Sequence, residues 1–151
     1  MKSILFVCLG NICRSPMAEM MMFNLVKEAK LSDQIKIQSA ATSTYEIGNP
    51  PHNGTIAKLK EKNVPMIEHY ARKITDNDFE EFDYIIGMDN SNIDDLIKLA
   101  PNDKAKSKIY MATSVLDEQY EIQDPWYDEN FERTYQQLAE VLPKWINKVS
   151  E

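Results

Sequence analysis

Four short segments stand out from the polar background as strand candidates. The first, "ILFV" from Ile4 to Val7, is continuously apolar. A short apolar run of this kind suits a parallel strand buried on both faces. "IKIQS", "DYIIGM" and "SKIYM" supply a second, third and fourth candidate. Between them the period changes. Ala18, Met21, Met22, Leu25 and Ala29 recur at helical spacing in a segment that starts near Pro16, a residue tolerated in a first helical turn. "TIAKLKEKN" reads as a short helix after the turn material of "NPPHNG", and "SNIDDLIKLA" as another that Pro101 ends. The last segment carries Phe131, Tyr135, Leu138, Leu142, Trp145 and Val149 on one helical stripe. Pro143 interrupts it, and a kink or break is expected there.

Strands thus alternate with helices from end to end. This predicts one doubly wound α/β domain over residues 1–151, with a central parallel four-stranded sheet flanked by helices. Ligands of such folds sit beyond the carboxyl ends of the strands, near a point where strand order reverses. Cys8 stands at such an end.

Composition narrows the function classes. The 151 residues allow one domain with a real core. The net charge of −7 argues against binding nucleic acid through a basic surface, though it says little about a local site. Two cysteines make no disulfide framework. No run approaches the ~20 apolar residues of a membrane span, and Lys2 precedes an apolar run too short for a signal peptide. The expected setting is reducing and cytoplasmic, without membrane insertion. Oligomeric state is not legible.

The candidate chemistry lies in "VCLGNICRSP". Five residues, Leu9, Gly10, Asn11, Ile12 and Cys13, separate Cys8 from Arg14. A strand-to-helix connection of this length leaves successive backbone N–H groups free to form an anion-binding concavity, aided by the positive end of the following helix. Gly10 and Asn11 tolerate left-handed backbone angles. Arg14 offers a planar fork for two phosphate oxygens. A thiol in that field ionises readily, and Ser15 can donate a hydrogen bond to it. Together the parts suit a nucleophilic cysteine attacking phosphorus. Taken singly, a strand-end cysteine is more often a small buried hydrophobe and an arginine near a helix start a surface residue. Neither a G-x-x-x-x-G-K-[ST] nor a G-x-G-x-x-G loop is present. Cys8, Cys13, His52 and His69 match no common zinc spacing, so no metal is expected.

"VCLGNICRSPMAE" resembles the phosphate-binding loop of the low-molecular-weight protein tyrosine phosphatases. The resemblance extends in order to "SAATSTYEIGNPP", "HYARKITDNDFEEFDYIIGMD" and "DPWYDENFERTY". It implies Cys8 as nucleophile, Arg14 as phosphate clamp, and the amides from Leu9 to Arg14 as the cradle. It also implies Asp124 as general acid and then base, and Tyr45, Trp126 and Tyr127 as aromatic walls of the pocket. Ser39 and His69 match positions that hold the loop around Asn11 and Ser15. Cys13 matches a position where a second thiol traps the oxidised nucleophile as a disulfide. No cofactor is implied. Implied partners are tyrosine-phosphorylated proteins or peptides, with phosphate and vanadate as inhibitors. His52 matches nothing in the motif and reads as a solvated turn residue. Asp89 reads first as a helix N-cap and second as part of the site.

Three rivals share the loop. Protein-arginine phosphatases on this fold carry Thr where Ile12 stands, and Phe alone after the acid. Thioredoxin-coupled arsenate reductases need further cysteines, and none follows Cys13. A non-catalytic phosphate-binding module would be expected to lose Cys8, Arg14 or Asp124, and all three are present.

Overall fold

Alternate residues of the first strand face opposite layers. Ile4, Phe6 and Cys8 belong to one apolar cluster, Leu5 and Val7 to another, which is why the run is apolar throughout. A computed structural model describes Met1–Glu151. The strands are β1 (Lys2–Cys8), β2 (Ile35–Ala41), β3 (Tyr84–Gly87) and β4 (Ile109–Met111). The helices are α1 (Arg14–Glu28), α2 (Asn53–Glu61), α3 (Asp76–Glu81), α4 (Asn90–Leu99), α5 (Asp103–Lys106), α6 (Pro125–Asp128) and α7 (Phe131–Val149). One turn of 3-10 helix, Ala112–Val115, follows β4.

All strand pairs are parallel, in the order β2-β1-β3-β4. The chain leaves β1 for β2 on one side and returns to β3 on the other. Strand order therefore reverses at β1, and Cys8 is its last residue. This is the crevice in which doubly wound folds bind their ligands. The expected doubly wound α/β domain with four parallel strands is the one observed.

The larger apolar cluster joins Ile4, Phe6 and Ile86 to α1 and α7 through Met17, Met20, Leu138, Leu142 and Trp145. The smaller one joins Leu5, Val7 and Ile85 to Phe79, Leu96 and Ala105 on the other face. No break occurs at Pro143: α7 runs as one helix through that residue. Pro143 is exposed and lies off the buried stripe. Val141, Leu142 and Trp145 are fully buried around it, and Trp145 Nε1 donates to the Ala112 carbonyl at 2.7 Å. Packing on both sides of the proline holds the helix across the missing hydrogen bond. Helix α3, absent from the sequence reading, is closed by a capping box in which Thr75 and Asp78 exchange hydrogen bonds.

Candidate active site

The chain leaves β1 at Cys8 and enters α1 at Arg14, with Cys13 at the helix N-cap. The N–H groups of Leu9, Gly10, Asn11, Ile12 and Cys13 find no acceptor within the protein. Five successive free amides at the start of a fifteen-residue helix provide the donors that an oxyanion requires. Of the two residues expected to tolerate a left-handed backbone, Asn11 adopts it, with φ 59°, and Gly10 does not.

Asn11 is wholly buried and held on every side. Its Nδ2 donates to Ser15 Oγ at 2.7 Å and to Ser39 Oγ at 3.0 Å. Its Oδ1 accepts from the Arg72 amide at 3.2 Å. His69 Nε2 donates to its carbonyl, also at 3.2 Å. This network fixes the strained residue that shapes the loop. Ser15 Oγ in turn lies 3.0 Å from Cys8 Sγ.

Arg14 is 2% exposed. Its Nη1 donates to Asp89 Oδ2 at 2.7 Å and to the Ile122 carbonyl at 2.8 Å, while Nη2 faces Asp124 Oδ2 at 3.5 Å. Burial opposes the guanidinium charge, but Cys8, Asp89 and Asp124 outweigh it and hold the group above its ordinary value. Asp89 is both things the sequence allowed: its Oδ1 caps α4 by accepting from the Asn92 amide at 2.8 Å, and its Oδ2 holds Arg14.

Asp124 comes from the far end of the chain as the N-cap of α6, accepting from the Trp126 amide at 3.0 Å. It shares a cavity of about 300 Å³ with Cys8 and Arg14. The cavity is also lined by Leu9, Gly10, Ile12, Cys13, Tyr45, Trp126 and Tyr127, eight of the nine positions expected at the substrate once Arg14 is counted. The ninth, Asn11, turns its side chain into the network instead. Tyr45, Trp126 and Tyr127 are 79%, 53% and 80% exposed, so their rings are free to receive a flat group. Cys13 is a buried thiol at the same cavity. Burial first, then Cys8 and Asp124, push its thiol up to about 12.

A family model described as "Low molecular weight phosphotyrosine protein phosphatase" matches residues 3–151. The chain belongs to this family. It is similar to the low molecular weight phosphotyrosine protein phosphatase of Mus musculus, at 46% identity over 151 residues, 97% of this chain and 95% of the relative. Among solved structures it is similar to YfkJ from Bacillus subtilis, with TM-score 0.93 and 36% identity over 99% of this chain and 95% of that one. The low molecular weight protein tyrosine phosphatase of Streptococcus pyogenes gives a TM-score of 0.89 at 41% identity, over 99% and 93% of the two chains.

Three features of this family member escaped the sequence reading. Glu19 is buried beside the loop network, accepting from the Ser39 hydroxyl and lying 3.5 Å from His69 Nδ1. Burial pushes its carboxyl above the ordinary range, against the pull of Ser39 and His69. The signal was one carboxylate inside the apolar run "PMAEMMMF". Glu46 lines the cavity next to Tyr45, and nothing in its spacing marked it. His52 is not a solvated turn residue. It is partly buried, its Nδ1 accepts from the Gly54 amide at 2.9 Å, and its ring packs on Phe131 and Trp126. Its place before the helix candidate "NGTIAKLKE" was the available clue. No group of three or more His, Cys, Asp and Glu side chains is placed to hold a metal ion. No helix is long and apolar enough to cross a membrane.

Proposed function

We propose that the protein hydrolyses phosphotyrosine in proteins and peptides through a cysteinyl-phosphate intermediate on Cys8. The observation that carries this reading is the convergence of Cys8, Arg14 and Asp124 on one cavity whose loop carries five unpaired amides. The amides and the outer edge of Arg14 bind the phosphoryl oxygens. The Cys8 thiolate attacks phosphorus, the S–P bond forms, and the P–O bond to the ring breaks. Asp124 passes its proton to the departing phenolate oxygen. In the second step the Asp124 carboxylate takes a proton from water, the water oxygen attacks phosphorus, and the P–S bond breaks. Inorganic phosphate and the thiolate are released, and Asp124 is protonated again. Inorganic phosphate and vanadate, which offer the same oxygens, act as inhibitors. Charge stabilisation comes from amides and a guanidinium, so the steps need no cofactor.

Ring recognition falls to Tyr45, Trp126 and Tyr127 at the cavity mouth. A phosphoserine side chain is too short to place its phosphate in the loop while reaching these walls. Phosphoarginine hydrolysis on the same loop is the second reading. It is disfavoured by Ile12, whose apolar side chain lines the cavity where a threonine hydroxyl would be needed, and by the Trp126–Tyr127 pair after the acid. Arsenate reduction is disfavoured by the lack of any cysteine beyond Cys13.

Cys13 serves as the redox partner of Cys8. Peroxide oxidises the Cys8 thiolate to a sulfenic acid. The Cys13 thiol condenses with it, an S–S bond forms and water leaves, which prevents over-oxidation.

Parallel assays with 4-nitrophenyl phosphate, phosphotyrosine, phosphoserine and phosphoarginine test the substrate class. Strong preference for phosphotyrosine over phosphoserine and phosphoarginine is expected. A parent that prefers phosphoarginine would refute the assignment.

A further inference from the structure

We infer that His52 is a positioning residue that sets where the acid segment stands relative to the phosphate loop, acting through Trp126. This inference rests on the role proposed for Asp124. Four contacts converge on His52. Its backbone N–H donates to the Ile12 carbonyl at 2.8 Å, tying it to the phosphate loop. Its Nδ1 accepts from the Gly54 amide at 2.9 Å and caps α2. Its ring stacks on Phe131, with centroids 5.2 Å apart and planes at 24°. The same ring meets Trp126 edge-on at 5.8 Å and 79°.

The surroundings make this ring a fixed post. Thr55 Oγ1 donates to the Cys13 carbonyl at 3.3 Å, so the first turn of α2 is fastened to the loop a second time. Phe131 lies so close over Gly54 that a Cβ there would come within 2.2 Å of it, which lets the start of α7 approach the start of α2. The acid segment is pinned at its two ends, where Gln123 bonds Gln137 and Thr134 and where Asp128 pairs with Arg133. Helix α6 is four residues long and Glu129, at φ 56°, joins it to α7 by a left-handed turn. Trp126 is half exposed, and His52 is its only aromatic partner.

The line of action is short. The ring of His52 bears on Trp126, and the Trp126 amide donates to Asp124 Oδ1 at 3.0 Å. That bond leaves Asp124 Oδ2 directed toward Arg14 Nη2, inside the cavity. If the ring is lost, Trp126 loses its stop and the carboxyl oxygen that must meet the leaving group is no longer placed.

Two substitutions separate this role from simple capping. His52→Asn keeps an acceptor for the Gly54 amide and removes the ring, with His52→Asp as an alternative if the first does not fold. His52→Phe keeps a ring and removes the acceptor. The readout is kcat/KM across aryl phosphates of graded leaving-group quality, with Tm measured beside it. For His52→Asn, roughly tenfold loss is expected on poor leaving groups and little on 4-nitrophenyl phosphate, since misplacing a general acid weakens only steps that need its proton. For His52→Phe, the parent's leaving-group dependence is expected, with Tm lower by about 2–4 °C from the lost cap. An unchanged leaving-group dependence in His52→Asn would overturn the inference, as would equal steepening in both variants. Asp124→Asn run alongside tells the two levels apart. Failure of that variant to steepen the dependence would remove the proposed acid itself, and the His52 inference with it.

Discussion

The Ser15 hydroxyl stands 3.0 Å from the Cys8 sulfur while its oxygen accepts a hydrogen bond from Asn11 Nδ2 at 2.7 Å. The Arg72 amide occupies Asn11 Oδ1, so the Asn11 amide group is oriented with its donors toward Ser15 and Ser39. With Cys8 as a thiolate, which can only accept, the Ser15 hydroxyl is the donor of this contact. That bond is worth most when sulfur carries charge, which in the proposed mechanism it does as attacking thiolate and as the group that leaves the phosphoenzyme.

Ser15→Ala is therefore expected to lower kcat by about 10–100-fold, the worth of one hydrogen bond to a charged group. The phosphoenzyme should accumulate, because sulfur has become a poorer leaving group. Rapid-quench measurement of bound phosphate checks this. Unchanged kcat with raised KM would place Ser15 in binding instead.

Asp124→Asn should depress kcat/KM for phosphotyrosine by ~10²-fold or more and spare substrates with good leaving groups. A steady-state series of substituted phenyl phosphates provides the measurement. Equal loss across the series would mean that Asp124 only shapes the segment before α6.

The two cysteines should react unequally. With its thiol pushed up to about 12 by burial and nearby negative groups, Cys13 is protonated at every pH from 5 to 9. Iodoacetate at neutral pH should label Cys8 alone, and bound phosphate should protect it. Peroxide should inactivate reversibly, with a Cys8–Cys13 disulfide that dithiothreitol reduces, and Cys13→Ser should recover poorly. Peptide mapping showing Cys8 as sulfinic acid, with Cys13 free and no disulfide at any dose, would return Cys13 to a packing role.

Much of this arrangement was legible because it is local in sequence. The apolar run Ile4–Val7, the turn at Gly10–Asn11 and the helix beyond Arg14 lie within one short stretch, and each obeys its own pattern. Glu19, Asp89 and His52 were less legible for the opposite reason. Glu19 is four hydrogen bonds away from Cys8, through Ser39, Asn11 and Ser15, and only the packing of α1 on β2 brings it there. Asp89 reads as a cap because it is one; its second oxygen finds Arg14 across 75 positions of sequence. Helix α3 has too few residues to show a period, and its signal is the Thr75–Asp78 box alone. The break allowed for at Pro143 does not occur, because burial on both sides carries the helix past the proline, which side-chain pattern alone does not reveal.

Asp78 offers a pH test of the support behind the loop. Burial resists its ionisation, but hydrogen bonds from Arg72 and Thr75 outweigh that and hold its carboxyl below the ordinary range. A depressed carboxyl contributes stability that is full above its unfolded value of about 4 and is lost as pH falls through the lower folded value. Asp78→Ala should cost about 1–2 kcal/mol near neutrality. Its Tm deficit should shrink on acidification below about pH 4. A deficit constant from pH 7 to pH 3 would show that packing rather than charge is lost.

The most direct test of the mechanism is acid-quenched turnover of a phosphotyrosine peptide, followed by mass spectrometry of the peptide that contains Cys8. Covalent phosphate on the Cys8 sulfur is expected within the first turnover, absent in Cys8→Ser, which should still bind vanadate. Continued hydrolysis by Cys8→Ser, or phosphate found on any other side chain, would contradict the account.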